Sequence, residues 1–245
     1  MPQKNDRTLI GMLTPSSNTV LEPVTAGILS GLPSVSAHFG RFRVTEISLS
    51  DSALGQFEME PMLAAAELLA DAHVGSICWN GTSAGWLGFE RDRELCAAIE
   101  ARTGVPACSS VLALNEIFEA TGVKRFGLVT PYIDEVQSRI IGNYAAIGFE
   151  CVAEQHLRTS ENFAFSRFTT DQIADLCRDV AEAKPDAIAV FCTNMRGAEV
   201  ATAIEAETGI PVYDTVATAV WAALRQTGVN PNGVTGWGRL FAEVA

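Results

Sequence analysis

The chain has 245 residues, of which 48% are hydrophobic and 19% charged, and its formal net charge at pH 7 is −12. That length and apolar content suffice for a sizeable core, either as one large α/β unit or as two smaller lobes. No Lys/Arg-rich block offsets the negative charge, which argues against nucleic acid or an anionic membrane as a partner. We find neither a secretory apolar segment nor a run of about 20 apolar residues, so we expect a cytoplasmic protein without a membrane span.

The cysteines and histidines show no spacing typical of a metal site or a disulfide framework. The three histidines are scattered, and no two cysteines form a CxxC pair. There is also no P-loop and no GxGxxG motif, so nucleotide binding is unsupported. We therefore expect reduced thiols, no metal and no cofactor. The six cysteines are Cys78, Cys96, Cys108, Cys151, Cys177 and Cys192.

Three landmarks occur twice in the same order and indicate a duplicated unit. The first is an apolar run that ends in Gly-x-x-Thr-Pro, and the second is an apolar run that ends in small polar residues. The third is a helical segment that ends in Thr-Gly-[Val/Ile]-Pro. The copies lie at residues 10–15 and 126–131, 75–83 and 186–194, and 99–106 and 204–211.

Each copy is predicted to alternate strands and helices. Short apolar runs predict buried strands at Thr8–Leu13 and Arg125–Thr130. Alternation of this kind predicts parallel sheets with helices on both faces. The predicted fold is therefore α/β, with two Rossmann-like lobes related by a pseudo-twofold axis, the first formed by residues 1–117 and 216–245 and the second by 118–215. Predicted helices are Met62–Ala72, Phe89–Thr103, Thr170–Ala183, Gly197–Thr208 and Thr215–Thr227.

Ligands of open parallel sheets bind beyond the carboxyl ends of the strands, which places the predicted site in the cleft between the lobes. Four strand-end segments are expected to converge there. They are Thr14–Asn18, Gly81–Ser83, Thr130–Tyr132 and Cys192–Asn194.

The first-copy segments are rich in hydroxyl and amide groups. Pro15, Ser16 and Asn18 lie in a turn before a predicted helix, where free backbone N–H groups favour an anion. The alternative is a helix cap and nothing more. In the second segment, Gly81 lets a ligand approach the backbone, while Thr82 and Ser83 can donate hydrogen bonds; the alternative is a tight turn.

The second-copy segments contain the candidate catalytic group. Cys192 follows a buried strand directly, with Thr193 and Asn194 after it. A thiol there can transfer a proton beside a carbonyl or attack an activated double bond, although a cysteine after a strand is more often a packing residue. Tyr132 can complete a set of donors around a carboxylate. Cys78, three residues before its turn, is expected to point into the core.

The longest polar, irregular stretch is Leu157–Thr170. It fits either a flap over the site or an ordinary surface loop.

The duplicated unit, the Pro-Ser-Ser-Asn-Thr turn, the Gly-Thr-Ser strand end and the Phe-Cys-Thr strand end resemble the aspartate/glutamate racemase superfamily. Within it, the arylmalonate decarboxylase and maleate cis-trans isomerase branches are the most similar. Thr130–Val136 and Gly238–Phe241 add to that resemblance, which covers nearly the whole chain.

The resemblance implies chemistry with a single thiol. The superfamily's usual pattern has one cysteine on each side of the cleft, whereas this chain has Gly81 at the first position and keeps only Cys192. The decarboxylase branch shows the same combination and implies loss of CO₂ from a malonate-type diacid, through an enediolate that Cys192 protonates without a cofactor. The isomerase branch implies the alternative, addition of Cys192 to a small dicarboxylate such as maleate. A carboxylate-binding protein without catalysis is the third alternative.

The decarboxylase resemblance also implies which groups bind the substrate. Thr82, Ser83, Tyr132 and the N–H groups near Cys192 and Thr193 would stabilise the enediolate. The turn at Ser16, Ser17 and Asn18 departs from that branch and is similar to the isomerase and racemase turn. It would hold a second carboxylate and favour a more polar diacid than an arylmalonate. The expected partner is thus a small carboxylate, and a homo-oligomer is left open.

Overall fold

Two parallel four-stranded sheets form the framework of the protein in the computed structural model, which describes residues 7–50 and 55–244. The strand orders are β2-β1-β3-β4 in the first sheet and β6-β5-β7-β8 in the second, so the two sheets have equivalent topology. The predicted α/β fold with two similar lobes is confirmed. The strands are β1 Thr8–Pro15, β2 Val35–Phe42, β3 Ser76–Trp79, β4 Ala107–Ser109, β5 Arg125–Thr130, β6 Glu150–His156, β7 Ala187–Val190 and β8 Val212–Asp214.

Helices alternate with these strands and cover both sheets. They are α1 Leu21–Leu29, α2 Met59–Ala70, α3 Ala84–Leu87, α4 Glu90–Thr103, α5 Ser110–Thr121, α6 Asp134–Ala146, α7 Thr170–Ala181, α8 Gly197–Thr208, α9 Thr215–Gln226 and α10 Arg239–Glu243. Short 3₁₀ turns lie at Gly55–Phe57, Asn162–Arg167 and Pro231–Gly233. Among the helices that the structure describes, none is long and apolar enough to cross a membrane.

The Thr-Gly-[Val/Ile]-Pro elements end helices in both lobes as the sequence predicts. Gly104 after α4 and Gly209 after α8 have φ values of 71° and 74°. A left-handed residue at this place lets its N–H cap the last turn, and glycine adopts that conformation without a steric penalty. The helix predicted at Met62–Ala72 instead spans Met59–Ala70, because Pro61 is tolerated in a first turn, where an N–H lacks an intrahelical partner anyway.

Two helices connect the lobes. Helix α9, which follows β8 of the second sheet, packs against α1, β3 and β4 of the first lobe. Helix α5 packs against α9, and its Phe118 ring contacts the second-lobe rings of Phe126 and Phe149. The predicted boundary at residue 117 therefore falls inside α5, and the division into domains stays a prediction.

A fully buried carboxyl, Asp214, ends β8 and caps α9. Its Oδ1 accepts hydrogen bonds from the backbone N–H groups of Val216 at 2.8 Å and Ala217 at 3.2 Å. Burial nevertheless raises the pKa of Asp214 to about 7, because these donors only partly replace the lost hydration. Near neutral pH the folded chain thus holds a proton that the unfolded chain has already released.

Replacing Asp214 by Asn is expected to reduce the pH dependence of stability. Since the pKa of this carboxyl is raised in the folded state, its own contribution to the free energy of unfolding is greatest below about pH 4 and is lost as the pH rises through about 7. Asn keeps the capping oxygen without a charge, so this loss should shrink by on the order of 2 to 4 kcal/mol. Burial also raises the pKa of Asp92 to about 7, so this carboxyl should account for part of the pH dependence of stability that remains in the variant.

Urea unfolding at about pH 4.5 and about pH 7.5 measures the change. Asp186→Asn is a control that should change the pH dependence of stability in the opposite direction. Asp186 is exposed, and the backbone N–H groups of Lys124 and Arg125 lower the pKa of its carboxyl. An Asp214→Asn protein with the parent's full difference between the two pH values would contradict the assignment.

Candidate active site

A small cavity lies where the carboxyl ends of β1, β3, β5 and β7 converge between the lobes. The predicted convergence of the four strand-end segments is therefore observed. One part of its lining is polar and comes from Gly81, Thr82, Ser83, Tyr132, Asn162, Cys192 and Thr193. The other part is apolar and comes from Pro15, Val44, Ile47, Phe57, Trp79 and Trp86.

Cys192 lies two residues beyond the end of β7, with its side chain 2% exposed. Burial raises the pKa of this thiol to about 12, although the Tyr132 hydroxyl and the backbone N–H of Asn194 lower it. The Asn194 N–H donates to Cys192 Sγ at 3.4 Å. At neutral pH the group is therefore a thiol, a form that can donate a proton, rather than a thiolate.

Tyr132 follows β5 and connects the two sides of the cavity. Its hydroxyl lies 2.5 Å from Thr82 Oγ1, and it also contacts Cys192. Burial raises the pKa of Tyr132 well above its ordinary value, so the hydroxyl keeps its proton. The rings of Trp86 and Phe165, at 5.2 and 5.5 Å between centroids, pack around the phenol and hold it in place.

The first-lobe counterpart of Cys192 is Gly81, which lies two residues beyond the end of β3. A Cβ atom at this position would lie 1.9 Å from Cζ2 of Trp79, whose indole ring covers the glycine. Its backbone is not left-handed, so glycine is needed here for space rather than for conformation. The position of the superfamily's second cysteine is thus filled by an indole ring.

The polar turn after β1 serves the contact between the lobes. Asn18 Oδ1 accepts from the N–H groups of Val20 and Leu21 at the start of α1, at 3.0 and 2.9 Å. Asn18 Nδ2 donates across the cleft to the Thr193 carbonyl oxygen at 3.0 Å. In the same direction, the backbone N–H of Thr19 donates across the cleft to Asn194 Oδ1 at 3.0 Å.

The serines of the same turn are also bonded within the protein. Ser16 Oγ donates to the Val44 carbonyl oxygen at 3.3 Å, and Ser17 Oγ donates to the same oxygen at 2.7 Å. Ser17 Oγ in turn accepts from Asn162 Nδ2 at 2.9 Å. The turn therefore positions the loop at Val44 and does not present free hydroxyl groups to the cavity.

Seven of the ten predicted site residues line the cavity: Pro15, Gly81, Thr82, Ser83, Tyr132, Cys192 and Thr193. Ser16, Asn18 and Asn194 lie beside it, with their side chains engaged in the hydrogen bonds just described. Their expected role in holding a carboxylate finds no support in this placement, because their hydrogen-bonding groups are directed to the backbone. The role of all ten residues in substrate binding stays a prediction.

Replacing Asn18 by Ala is expected to lower the free energy of unfolding by about 2 to 3 kcal/mol, because it leaves buried N–H and carbonyl groups without partners. The matched control is Asn115→Ala. The amide of the buried Asn115 has no hydrogen-bond partner among residues 7–50 and 55–244, so its loss should cost under about 1 kcal/mol. Urea denaturation compares the two, and equal losses would contradict a role of Asn18 in joining the lobes.

The stretch Leu157–Thr170 is neither plain loop nor wholly exposed. Its backbone pairs with the loop after β2, through Ile47 N–H to the Ser160 carbonyl oxygen at 2.8 Å and Asn162 N–H to that of Thr45 at 3.0 Å. Phe165 is fully buried against Tyr132. The stretch thus forms part of the cavity wall through Asn162, and its movement as a flap stays one of two alternatives.

The sequence did not reveal the apolar part of the wall or Asn162. Trp79 falls within the landmark at residues 75–83, where a large ring two residues before a glycine is the one signal of a close contact. The other missed residues come from loops, 3₁₀ turns and the short helix α3, whose positions depend on the fold. They are Val44, Ile47, Phe57, Trp86 and Asn162.

Cys78 is fully buried beside Cys108 on the neighbouring strand, as expected for a core residue. Burial raises the pKa of its thiol well above the ordinary value. Within residues 7–50 and 55–244 no group of three His, Cys, Asp or Glu side chains is arranged to hold a metal ion.

Proteins similar to this chain include two kinds of enzyme. The arylmalonate decarboxylase of Bordetella bronchiseptica is 27% identical over 237 residues, which are 96% of this chain and 96% of that protein. A maleate isomerase of Nocardia farcinica is 26% identical over 241 residues, which are 96% of this chain and 95% of that protein.

Solved structures of the same two kinds share the fold. The Nocardia farcinica maleate cis-trans isomerase, as a mutant with a covalently bound succinylcysteine intermediate, matches with a TM-score of 0.87 at 23% identity, over 97% of this chain and 99% of that chain. A crystal structure of arylmalonate decarboxylase matches with a TM-score of 0.78 at 26% identity, over 96% and 99%. The arylmalonate decarboxylase family model matches residues 40–241, well over half of the sequence. The chain therefore belongs to the arylmalonate decarboxylase family.

Proposed function

We propose that the protein is a cofactor-independent decarboxylase of a malonate-type diacid with an apolar α-substituent. The observation that carries this proposal is a single buried, protonated thiol, Cys192, facing a position where Trp79 leaves no room for a second thiol. One proton donor is enough for decarboxylation, whereas racemisation by two thiols requires a partner.

The proposed reaction breaks the bond between the α-carbon and one carboxylate, which leaves as CO₂. The electron pair of that bond remains on the substrate as an enediolate. Thr82, Ser83 and Tyr132 donate hydrogen bonds to its oxygens, together with backbone N–H groups, and such donors stabilise developing charge most in a site that excludes water. The Cys192 thiol then gives its proton to the α-carbon, and the resulting thiolate regains a proton from solvent.

The apolar wall supports this choice of substrate. Val44, Ile47 and Phe57 offer no hydrogen bond to the carboxylate that leaves, so its charge is poorly solvated there and its conversion to neutral CO₂ is favoured. Because Ser16, Ser17 and Asn18 are bonded within the protein, we favour an apolar α-substituent over the more polar diacid that the sequence suggested.

The alternative is cis-trans isomerisation of a small dicarboxylate such as maleate, with Cys192 as nucleophile. Its support is the similarity to maleate isomerases and the presence of polar Asn162 and Thr193 in the lining. Against it stands the raised pKa of Cys192, because addition to an alkene requires the thiolate.

One experiment separates the candidates. The purified protein is incubated in D₂O with phenylmalonate, maleate and amino-acid enantiomers, and the products are followed by NMR. The proposal expects CO₂ release from phenylmalonate with one deuterium at the α-carbon. Formation of fumarate from maleate would contradict the decarboxylase and support the isomerase. Binding of these acids without turnover would support a carboxylate-binding protein.

A further inference from the structure

The indole ring of Trp79 lies between two cavities. One is the cavity at Cys192, and the other is a small cavity on the far side of the ring, lined by Met62, Leu95 and Asp92 among others. Trp79, Phe57 and Ser83 line both. Because Trp79 is the last residue of β3 and only 1% exposed, its ring is a fixed part of this shared wall.

Contacts on both sides hold the ring in this position. On one side it covers Gly81, where a Cβ would lie 1.9 to 2.4 Å from three of its ring atoms. On the other, the ring of Phe42 packs at 5.2 Å between centroids with a 47° tilt. Since both the glycine and the neighbouring strand fit the indole, a smaller side chain at position 79 would leave a gap that joins the two cavities.

We propose that Trp79 is the residue that limits the size of the α-substituent, by closing the cavity at Cys192 against the second cavity behind it. A shorter side chain at this position opens the second cavity to substrates with larger aromatic substituents. The apolar part of the space gained is bounded by Met59, Met62, Leu87 and Leu95, which suits a fused-ring group, while Ser83, Arg91 and Asp92 form its polar part. The substrate class named here rests on the proposed decarboxylation.

The first test compares Trp79→Leu with the parent on phenylmalonate and 1-naphthylmalonate. The ratio of kcat/KM for the naphthyl over the phenyl substrate is expected to rise about tenfold or more, the discrimination that a few extra apolar atoms produce in a shaped pocket. Trp79→Phe, which keeps a ring, should give an intermediate ratio. A folded Trp79→Leu protein with the parent's ratio would overturn the inference.

Trp221→Leu is the matched control. Trp221 is also 1% exposed, but it lies in α9, where its Nε1 donates to the Val244 carbonyl oxygen at 2.9 Å, away from both cavities. This variant should lose thermal stability without a change in the substrate ratio. An equal rise in the ratio in both variants would show general loosening of the fold instead of an opened wall.

A second test needs no turnover and separates this inference from the proposed reaction. Binding of phenylacetate and 1-naphthylacetate is measured by NMR titration, and Trp79→Leu should shift the ratio of their Kd values about tenfold toward the naphthyl acid. If the Kd ratio shifts but no variant turns over a malonate, the proposed decarboxylation is contradicted, whereas the size limit set by Trp79 is supported. If a folded Trp79→Leu protein shows no shift in the ratio of Kd values, or if neither acid binds, Trp79 does not limit the size of the substituent.

The contact with Gly81 provides an independent check on the geometry. Gly81→Ala should lower Tm strongly in the parent, because the new Cβ collides with the indole, and much less in Trp79→Leu. Equal losses of Tm in the two backgrounds would contradict the contact on which the inference depends.

Discussion

Replacing Cys192 by Ser is expected to lower kcat for phenylmalonate by about 10³-fold, within the range that a positioned proton donor contributes. The hydroxyl keeps the shape and the contacts with Tyr132 and the Asn194 N–H, but it is a far weaker acid than a thiol. The free energy of unfolding should change by less than about 1 kcal/mol, because these two partners remain. Steady-state kinetics and urea denaturation measure the two quantities on one preparation.

Cys177→Ser is the matched control for this prediction. Cys177 is fully buried in α7, and burial raises the pKa of its thiol to about 12, as for Cys192. It does not line the cavity, so its replacement should lower stability while kcat stays within about twofold. Retained activity in Cys192→Ser would remove Cys192 from the mechanism, even if the fold is intact.

Replacing Tyr132 by Phe is expected to lower kcat by about 10²-fold, the lower end of the effect of losing one donor to a developing oxyanion. The change removes the hydroxyl that lies 2.5 Å from Thr82 Oγ1 and contacts Cys192, and leaves the ring between Trp86 and Phe165. Since that hydroxyl lowers the pKa of Cys192, its loss should also make the thiol a weaker acid.

Tyr144→Phe provides the comparison for this change. Tyr144 is equally buried, and its hydroxyl has no hydrogen-bond partner among residues 7–50 and 55–244. Removing that hydroxyl should leave kcat unchanged and should not destabilise the fold, because a buried polar group without a partner is unfavourable. Equal activity of Tyr132→Phe and the parent would show that the phenol only fills space.

The two sides of the cleft share a backbone plan and differ in one pair of side chains. Gly81 and Cys192 each lie two residues beyond the end of the equivalent inner strand of their sheet, β3 and β7. Trp79 ends the first of these strands and Val190 the second. Only the tryptophan side chain covers the residue two positions further on, which is Gly81. The symmetric fold therefore holds an asymmetric site, with a proton donor on one side and an apolar ring on the other.

The sequence by itself determined the duplicated fold, the approximate ends of the five helices that it predicted and the equivalence of Gly81 and Cys192. These features depend on local causes, namely hydrophobic periodicity, glycine at helix ends and short strands cut off by polar residues, and the same causes act in both copies. The resemblance to a known superfamily rested on such local motifs. It therefore gave the family and left the reaction undecided between decarboxylation and isomerisation.

The tertiary structure decided what the side chains of the cleft contact. Asn18 and Asn194 look like ligand-binding groups in the sequence, but their partners lie on the other lobe, about 175 residues away. The cover of Gly81 by Trp79 and the wall formed by Asn162 depend likewise on side-chain directions and loop positions. Such contacts have no periodicity to read, because they are set by packing between segments that the chain brings together only when it folds.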